Sequence, residues 1–293
     1  MSEEPFVIVS DESGTEDLIR SLSFIAGPSR AIGRLNKNCK VALSESCRTE
    51  IKFKDIDDAG RCKAAKVALT AFLDCPDCRA LCLTWSMQDS RRNGLHGRDD
   101  CADFHRMLFH GLRSVADWIG DKQWHWCHDQ KSDLQQDELI EFLKNTRGNR
   151  SHKYQIEDLF GNSRHFIRIA KFEQRCSKQT PILGLADLLA GVCRHSLQDA
   201  DGCVAHYRAR CGQSQLELGS GDTTESPTTR ATRAKREFVA YVKDECGKRR
   251  LGVSLESTRR LATRRKGTKF WIWHYEPQGQ YDKAPLRSKN TGS

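Results

Sequence analysis

The chain has 293 residues, 38% hydrophobic and 30% charged, with a formal net charge of +9. That length suits one large domain, or one domain with an extension. It contains no apolar run of about 18 residues, which excludes a membrane-spanning helix. The opening MSEEPFVIV carries neither the basic region nor the cleavage site of a secretory signal, so a cytoplasmic protein is expected.

Residues 6–10 (FVIVS) are continuously apolar up to a glycine-containing turn, as in a central strand buried on both faces. A second strand is expected at 22–26 (LSFIA), ended by Gly27 and Pro28. Residues 40–43 or 51–53 offer a third. Residues 59–73 space Ala65, Leu69 and Phe72 as a helix does. Residues 81–87 (LCLTWSM) read as a strand. Residues 101–119 form a helix with Phe104, Leu108, Leu112, Val115 and Ile119 on one stripe. A strand at 123–128 (QWHWCH) ends at Asp129, and a helix is expected at 134–143. Residues 166–170 (FIRIA) alternate as a strand does. Residues 179–193 read QTPILGLADLLAGVC, an apolar helix with Thr180 as its cap and Pro181 in its first turn. A Gly/Ser/Thr-rich stretch follows, then a helix at 231–246 and an aromatic strand at 270–275 (FWIWHY). The organisation expected is a domain over 1–211, a flexible linker over 212–230 and a basic, aromatic C-terminal extension over 231–293.

One residue in the apolar helix is out of place. Asp187 sits at its centre, flanked at three and four residues by Leu183, Gly184, Ala190 and Gly191. Burying an unpaired carboxylate costs several kcal/mol, so it needs a cation or a proton. The small neighbours leave room for another backbone or a ligand beside the acid. Asp11 and Asp129 each follow a predicted strand, and in α/β folds sites gather at the carboxyl ends of strands. Glu50, in TEIKFKD, completes a candidate set of Asp11, Glu50, Asp129 and Asp187, with Asp89 as the substitute for Asp129. Mg²⁺ and Mn²⁺ prefer carboxylate and water oxygens. Two such ions about 4 Å apart activate water and stabilise the leaving oxygen of a phosphodiester.

Charge is segregated. Residues 230–293 hold 17 Lys and Arg against 6 Asp and Glu, whereas the rest of the chain is slightly acidic. A segregated basic segment points to a polyanion, nucleic acid being the usual one. Arg259, Arg260, Arg264, Arg265, Lys266 and Lys269 would neutralise phosphates, while Trp271 and Trp273 would stack bases. Of the 13 cysteines, Cys75, Cys78 and Cys82 form C-x2-C-x3-C, which lacks the second ligand pair of a structural zinc site. His125 and His128 beside Asp129 fall on opposite faces of a strand and cannot readily share an ion.

The order strand–DESG, E-x-K, strand ending in Asp, then LADLLAG resembles a bacterial family, the DESG-type domain of unknown function of the ribonuclease H-like superfamily. The resemblance covers roughly residues 5–200. It implies an α/β fold with a mixed five-stranded sheet flanked by helices, and a centre of two divalent ions that cuts or transfers phosphodiesters. On it, Asp11 and Asp187 are metal ligands, Glu50 and Asp129 complete the set, and Lys52 contacts phosphate. Glu12 is a turn residue or supports its neighbours. Gly184 stands where many relatives have Gln. Family members occur in mobile or phage-defence neighbourhoods, which implies a partner such as an ATPase or a reverse transcriptase. The function expected is a metal-dependent nuclease acting on DNA or RNA. The alternatives are a non-catalytic nucleic-acid-binding subunit and a phosphatase acting on free nucleotides.

Overall fold

The computed structural model describes residues 4–88, 100–120, 122–130, 168–212 and 229–276. The helix expected at 134–143, Asp89 and Phe166 lie outside them. The first strand, β1 (Phe6–Ser13), runs three residues further than its apolar segment, so Asp11 and Glu12 are strand residues on opposite faces. It is followed by β2 (Ile19–Pro28), α1 (Ser29–Glu45), a 3₁₀ turn (Phe53–Asp55), α2 (Ala59–Asp74) and β3 (Arg79–Ser86). Then come α3 (Asp100–Ile119), β4 (Gln123–Asp129), β5 (Arg168–Arg175) and α4 (Pro181–Gln198). The described chain closes with α5 (Ala200–Arg210), α6 (Arg230–Lys248), the short pair β6 (Val253–Ser254) and β7 (Ala262–Thr263), and β8 (Phe270–His274).

Two expectations for the third strand are corrected. Residues 40–43 belong to α1, whose Ile32, Leu35, Cys39 and Leu43 recur at helical spacing and are buried. Residues 51–53 lead into the 3₁₀ turn, with Ile51 and Phe53 buried as anchors rather than paired in a ladder. The third strand is β3.

The sheet order is β5-β4-β1-β2-β3-β8. Strand β2 is antiparallel to β1 and β3, whereas β4 and β5 run parallel to β1, and β8 parallel to β3. The mixed sheet flanked by helices is as expected, but it has six strands rather than five. The added strand is β8, which docks along β3.

Side-chain alternation sorts the sheet into two cores. Val9, Ile25, Cys82, Cys127 and Ile272 face α1, α2, α4 and α6. Ile8, Phe24, Leu83, Trp126 and Trp271 face α3. Phe238, Val239 and Val242 of α6 lie in the first core, so the residues after the Gly/Ser/Thr-rich stretch complete the same packed body. Among the described residues, no helix is long and apolar enough to cross a membrane.

Candidate metal centre

Helix α4 lies against β1 and β2, and small side chains let it sit close. Ser21 and Ser23 of β2 donate to the carbonyls of Ala190 and Ala186, at 2.8 and 2.6 Å. On the helix's other flank, a Cβ on Gly184 would stand 2.6 Å from the Ile51 carbonyl oxygen, and one on Gly191 would stand 2.3 Å from Phe53. The segment 51–53 therefore crosses α4 where both glycines leave space, astride Asp187. That approach brings the Phe53 amide 2.7 Å from Asp187 Oδ2, to which it donates. The small-residue face read from the sequence is thus filled by another stretch of backbone.

Strand register gathers the other acids. Asp11 pairs with Ser23 across β1 and β2. The last pair across the parallel strands β1 and β4 is Ser10 and His128, so Asp11 and Asp129 are the next residue of each neighbouring strand. Both share the face of Val9 and Cys127, the one α4 covers.

Asp11 is 5% exposed. Burial raises its proton affinity well above the ordinary carboxylate range, and Asp187, Glu12 and Asp129 raise it further, against the Glu12 amide that donates to it at 2.7 Å. Asp187 is pushed up to about 7, by burial first; Asp129 and Glu12 add to this, while the Phe53 amide and Lys52 oppose it. Asp129 is also raised by burial, against amide donors at Gln130 and Ser177 and the Lys52 charge.

Glu50 stands at the edge of this group. Its Oε1 accepts from the Ser177 hydroxyl and lies 3.1 Å from Lys52 Nζ. The Ser177 amide donates to Asp129 Oδ1 at 3.0 Å, so one serine ties Glu50 to Asp129. Desolvation lowers the Lys52 proton affinity, but Glu50, Asp187 and Asp129 outweigh it and the net shift is upward. An open cleft of about 450 Å³ runs over this edge, lined by Glu50, Lys52, Lys54, Asp55, Asp129, Gln130, Cys176, Ser177 and Lys178. Half-buried Asp129 belongs both to the acidic cluster and to the cleft wall.

Sequence reasoning gave Glu12 a lesser part, yet its charge acts on Asp11, Asp129 and Asp187 alike. No local pattern announces this, because it depends on strand pairing. Lys54 and Lys178 were also passed over, since the E-x-K match draws attention to Lys52 alone.

The basic residues named from the sequence are dispersed. Asp11, Ser23, Cys82 and Ile272 form one row across the sheet. Arg264, Arg265 and Lys266 are exposed and precede β8, at the end of the sheet opposite the acids. The Trp118 indole donates to the Gly267 carbonyl there, at 3.0 Å. Arg259 is exposed and ion-paired with Asp201, while Arg260 is half-buried. Lys269 donates to the carbonyls of Cys75 and Cys78, an internal anchor for β8. Trp271 is buried, stacked on Trp273 at 5.9 Å and edge-on to Trp118 at 6.1 Å, so it offers no open ring face; Trp273 is half-buried.

A separate group places donor atoms of His195, Asp199 and Cys203 within 4.8 Å of one another. Arg236 already makes two hydrogen bonds to the Asp199 carboxylate, at 2.7 and 3.1 Å, which reads as a structural ion pair. Cys82 is buried in the core that α4 covers, together with Cys193 of that helix.

No family model matches this chain. Two proteins of Methanothermobacter thermautotrophicus are similar along nearly their whole length. The uncharacterized protein ORF2' is 27% identical over 295 residues, covering 95% of this chain and 96% of its own. The uncharacterized protein ORF2 is 28% identical over 300 residues, with the same coverage. Among solved structures, the RNase HII complex with PCNA from Archaeoglobus fulgidus gives a TM-score of 0.36 at 14% identity, over 80% of this chain and 89% of that one. Bst-RNase HIII in complex with Mn2+ gives 0.39 at 15% identity, over 83% and 70%.

Proposed function

We propose that the protein is a metal-dependent nuclease that hydrolyses phosphodiester bonds of DNA or RNA at the cleft beside Asp129. The observation that carries this reading is the cluster of carboxylates: buried Asp11 and half-buried Asp129 share one sheet face, and half-buried Asp187 lies on the helix that covers it. Desolvation together with neighbouring acidic charges, Glu12 among them, raises the proton affinity of all three. Surplus negative charge on hard oxygen donors is the environment a divalent cation offsets. The residues therefore fit Mg²⁺ or Mn²⁺, with Asp11, Asp129 and Asp187 as ligands and Glu50 at the margin. Bound there, two ions would supply Lewis-acid activation of water and neutralise charge on the phosphodiester.

The chain's own groups do the positioning. The Phe53 amide fixes one oxygen of Asp187, and the Ser177 amide fixes one of Asp129. Lys52, held by Glu50, stands where a phosphate would meet it, and Lys54 and Lys178 add positive charge along the cleft. The exposed turn 264–266 is a remote contact for the same polyanion. A role in phage defence or a mobile element, beside an ATPase or reverse transcriptase, is supported by the family resemblance alone, and a cytoplasmic setting by the opening residues alone.

The test is cleavage of labelled single- and double-stranded DNA and RNA with Mg²⁺, Mn²⁺ or EDTA, beside Asp11→Asn and Asp187→Asn. Cleavage that EDTA stops and each variant reduces by about 100-fold or more is expected. Undiminished cleavage in both variants contradicts the proposal. Salt-sensitive binding with no cleavage of any substrate turns it toward a binding subunit.

A further inference from the structure

On the α3 side of the sheet the core is almost wholly apolar, with Ile8, Phe24, Leu83 and Trp126 fully buried. Ser10 and His128 enter that core at 0% exposure. Buried polar groups are costly unless each finds a partner, and these form a chain. The Trp126 indole donates to Ser10 Oγ at 2.7 Å. Ser10 Oγ is 2.8 Å from His128 Nδ1. His128 Nε2 is 3.3 Å from Glu12 Oε2.

One order of donors uses every hydrogen in this chain. An indole N–H can only donate, which leaves the serine hydrogen free to donate to Nδ1. A neutral imidazole accepting at Nδ1 carries its hydrogen on Nε2, which lies 3.3 Å from the Glu12 carboxylate without hydrogen-bond alignment, so the contact is electrostatic. The hydrogen bonds thus fix the His128 ring, whose far edge meets the Glu12 charge at ion-pair distance. Glu12 rises from the α3 face at the end of β1, and its charge acts on Asp11, Asp129 and Asp187 on the other face.

We infer that His128 is a positioning residue for the acidic centre: the buried chain Trp126–Ser10–His128 holds the Glu12 carboxylate beside Asp11, where its charge strengthens the hold on a divalent cation. This rests on the metal-centre reading. Groups that orient the carboxylates of a metal site characteristically change affinity by about 10–100-fold when removed.

The experiment is Mn²⁺ affinity of the full chain, read from the spin-resonance signal of free Mn²⁺. His128→Leu should weaken it about tenfold, and His128→Gln, which returns an N–H near Nε2, should restore most of it. Glu12→Gln should weaken it by a similar factor, and adding His128→Leu should then cost nothing further, because both act through one carboxylate. Should His128→Leu fail to fold, Ser10→Ala gives the same comparison: a smaller loss, absent in the Glu12→Gln background. Wild-type affinity in His128→Leu, or losses that add in full, overturn the inference. Binding that Asp11→Asn abolishes and His128→Leu leaves intact sinks this inference alone; absence of Mn²⁺ binding in the wild type sinks the metal-centre reading with it.

Discussion

Asp187 shows at the scale of one residue what the site demands. Its carboxyl is pushed up to about 7, so between the ordinary carboxylate value near 4 and that value the folded chain binds a proton that the unfolded chain does not. Metal-free stability should therefore fall as pH rises from about 4 to about 7, by roughly 1–3 kcal/mol from this group, and level off above. Asp187→Asn should make the profile shallower, Asp11 and Asp129 keeping part of the fall, and leave the metal-free protein more stable at pH 8, while removing stabilisation by added Mg²⁺. Thermal melts at pH 5 to 8, with and without the ion, check this; a wild-type profile that rises with pH contradicts it. The sequence disclosed Asp187 because a charge at the centre of an apolar helix is anomalous on its face. It could not disclose Glu12, whose part depends on His128, brought alongside only when β1 and β4 pair.

At the scale of elements, the site depends on how closely α4 and the 51–53 segment approach. Gly184→Ala would drive a methyl into the Ile51 carbonyl and push the Phe53 amide off Asp187. We expect a loss of about 1–3 kcal/mol in urea unfolding together with weaker Mn²⁺ binding. Gly33→Ala, in α1 with open space around its Cβ, should instead stabilise by about 0.5–1 kcal/mol and leave binding alone. Equal effects at the two positions would show that helix propensity, not the crossing, sets them. The crossing was half visible beforehand: small residues around Asp187 promise a close neighbour without naming it. Helix α1 was hidden because Lys40 to Leu43, taken alone, suits a short strand. Its period emerges only with Ile32 and Leu35 in the window.

At the scale of the molecule, the acids and the exposed basic turn occupy opposite ends of the sheet, with β8 three strands from β1, about 14 Å across. Replacing Arg264, Arg265 and Lys266 together with Ala should raise KM and lower the salt slope of binding by about 1–3, leaving kcat within about twofold. Replacing Lys54 and Lys178 should lower kcat/KM at the cleft. A fall in kcat from the turn variant would contradict this division. Truncation before α6 does not separate the functions, because it strips Phe238, Phe270 and Ile272 from the main core. The local string FWIWHY announces a strand, but its place beside β3 is a long-range pairing that composition does not reveal. The claim on which all of this turns is that Asp11, Asp129 and Asp187 form one divalent-ion centre. Calorimetric titration of the metal-free protein with Mn²⁺ tests it: the wild type should bind two equivalents and Asp11→Asn should lose them. No binding by the wild type, or the same isotherm from Asp11→Asn, would contradict it.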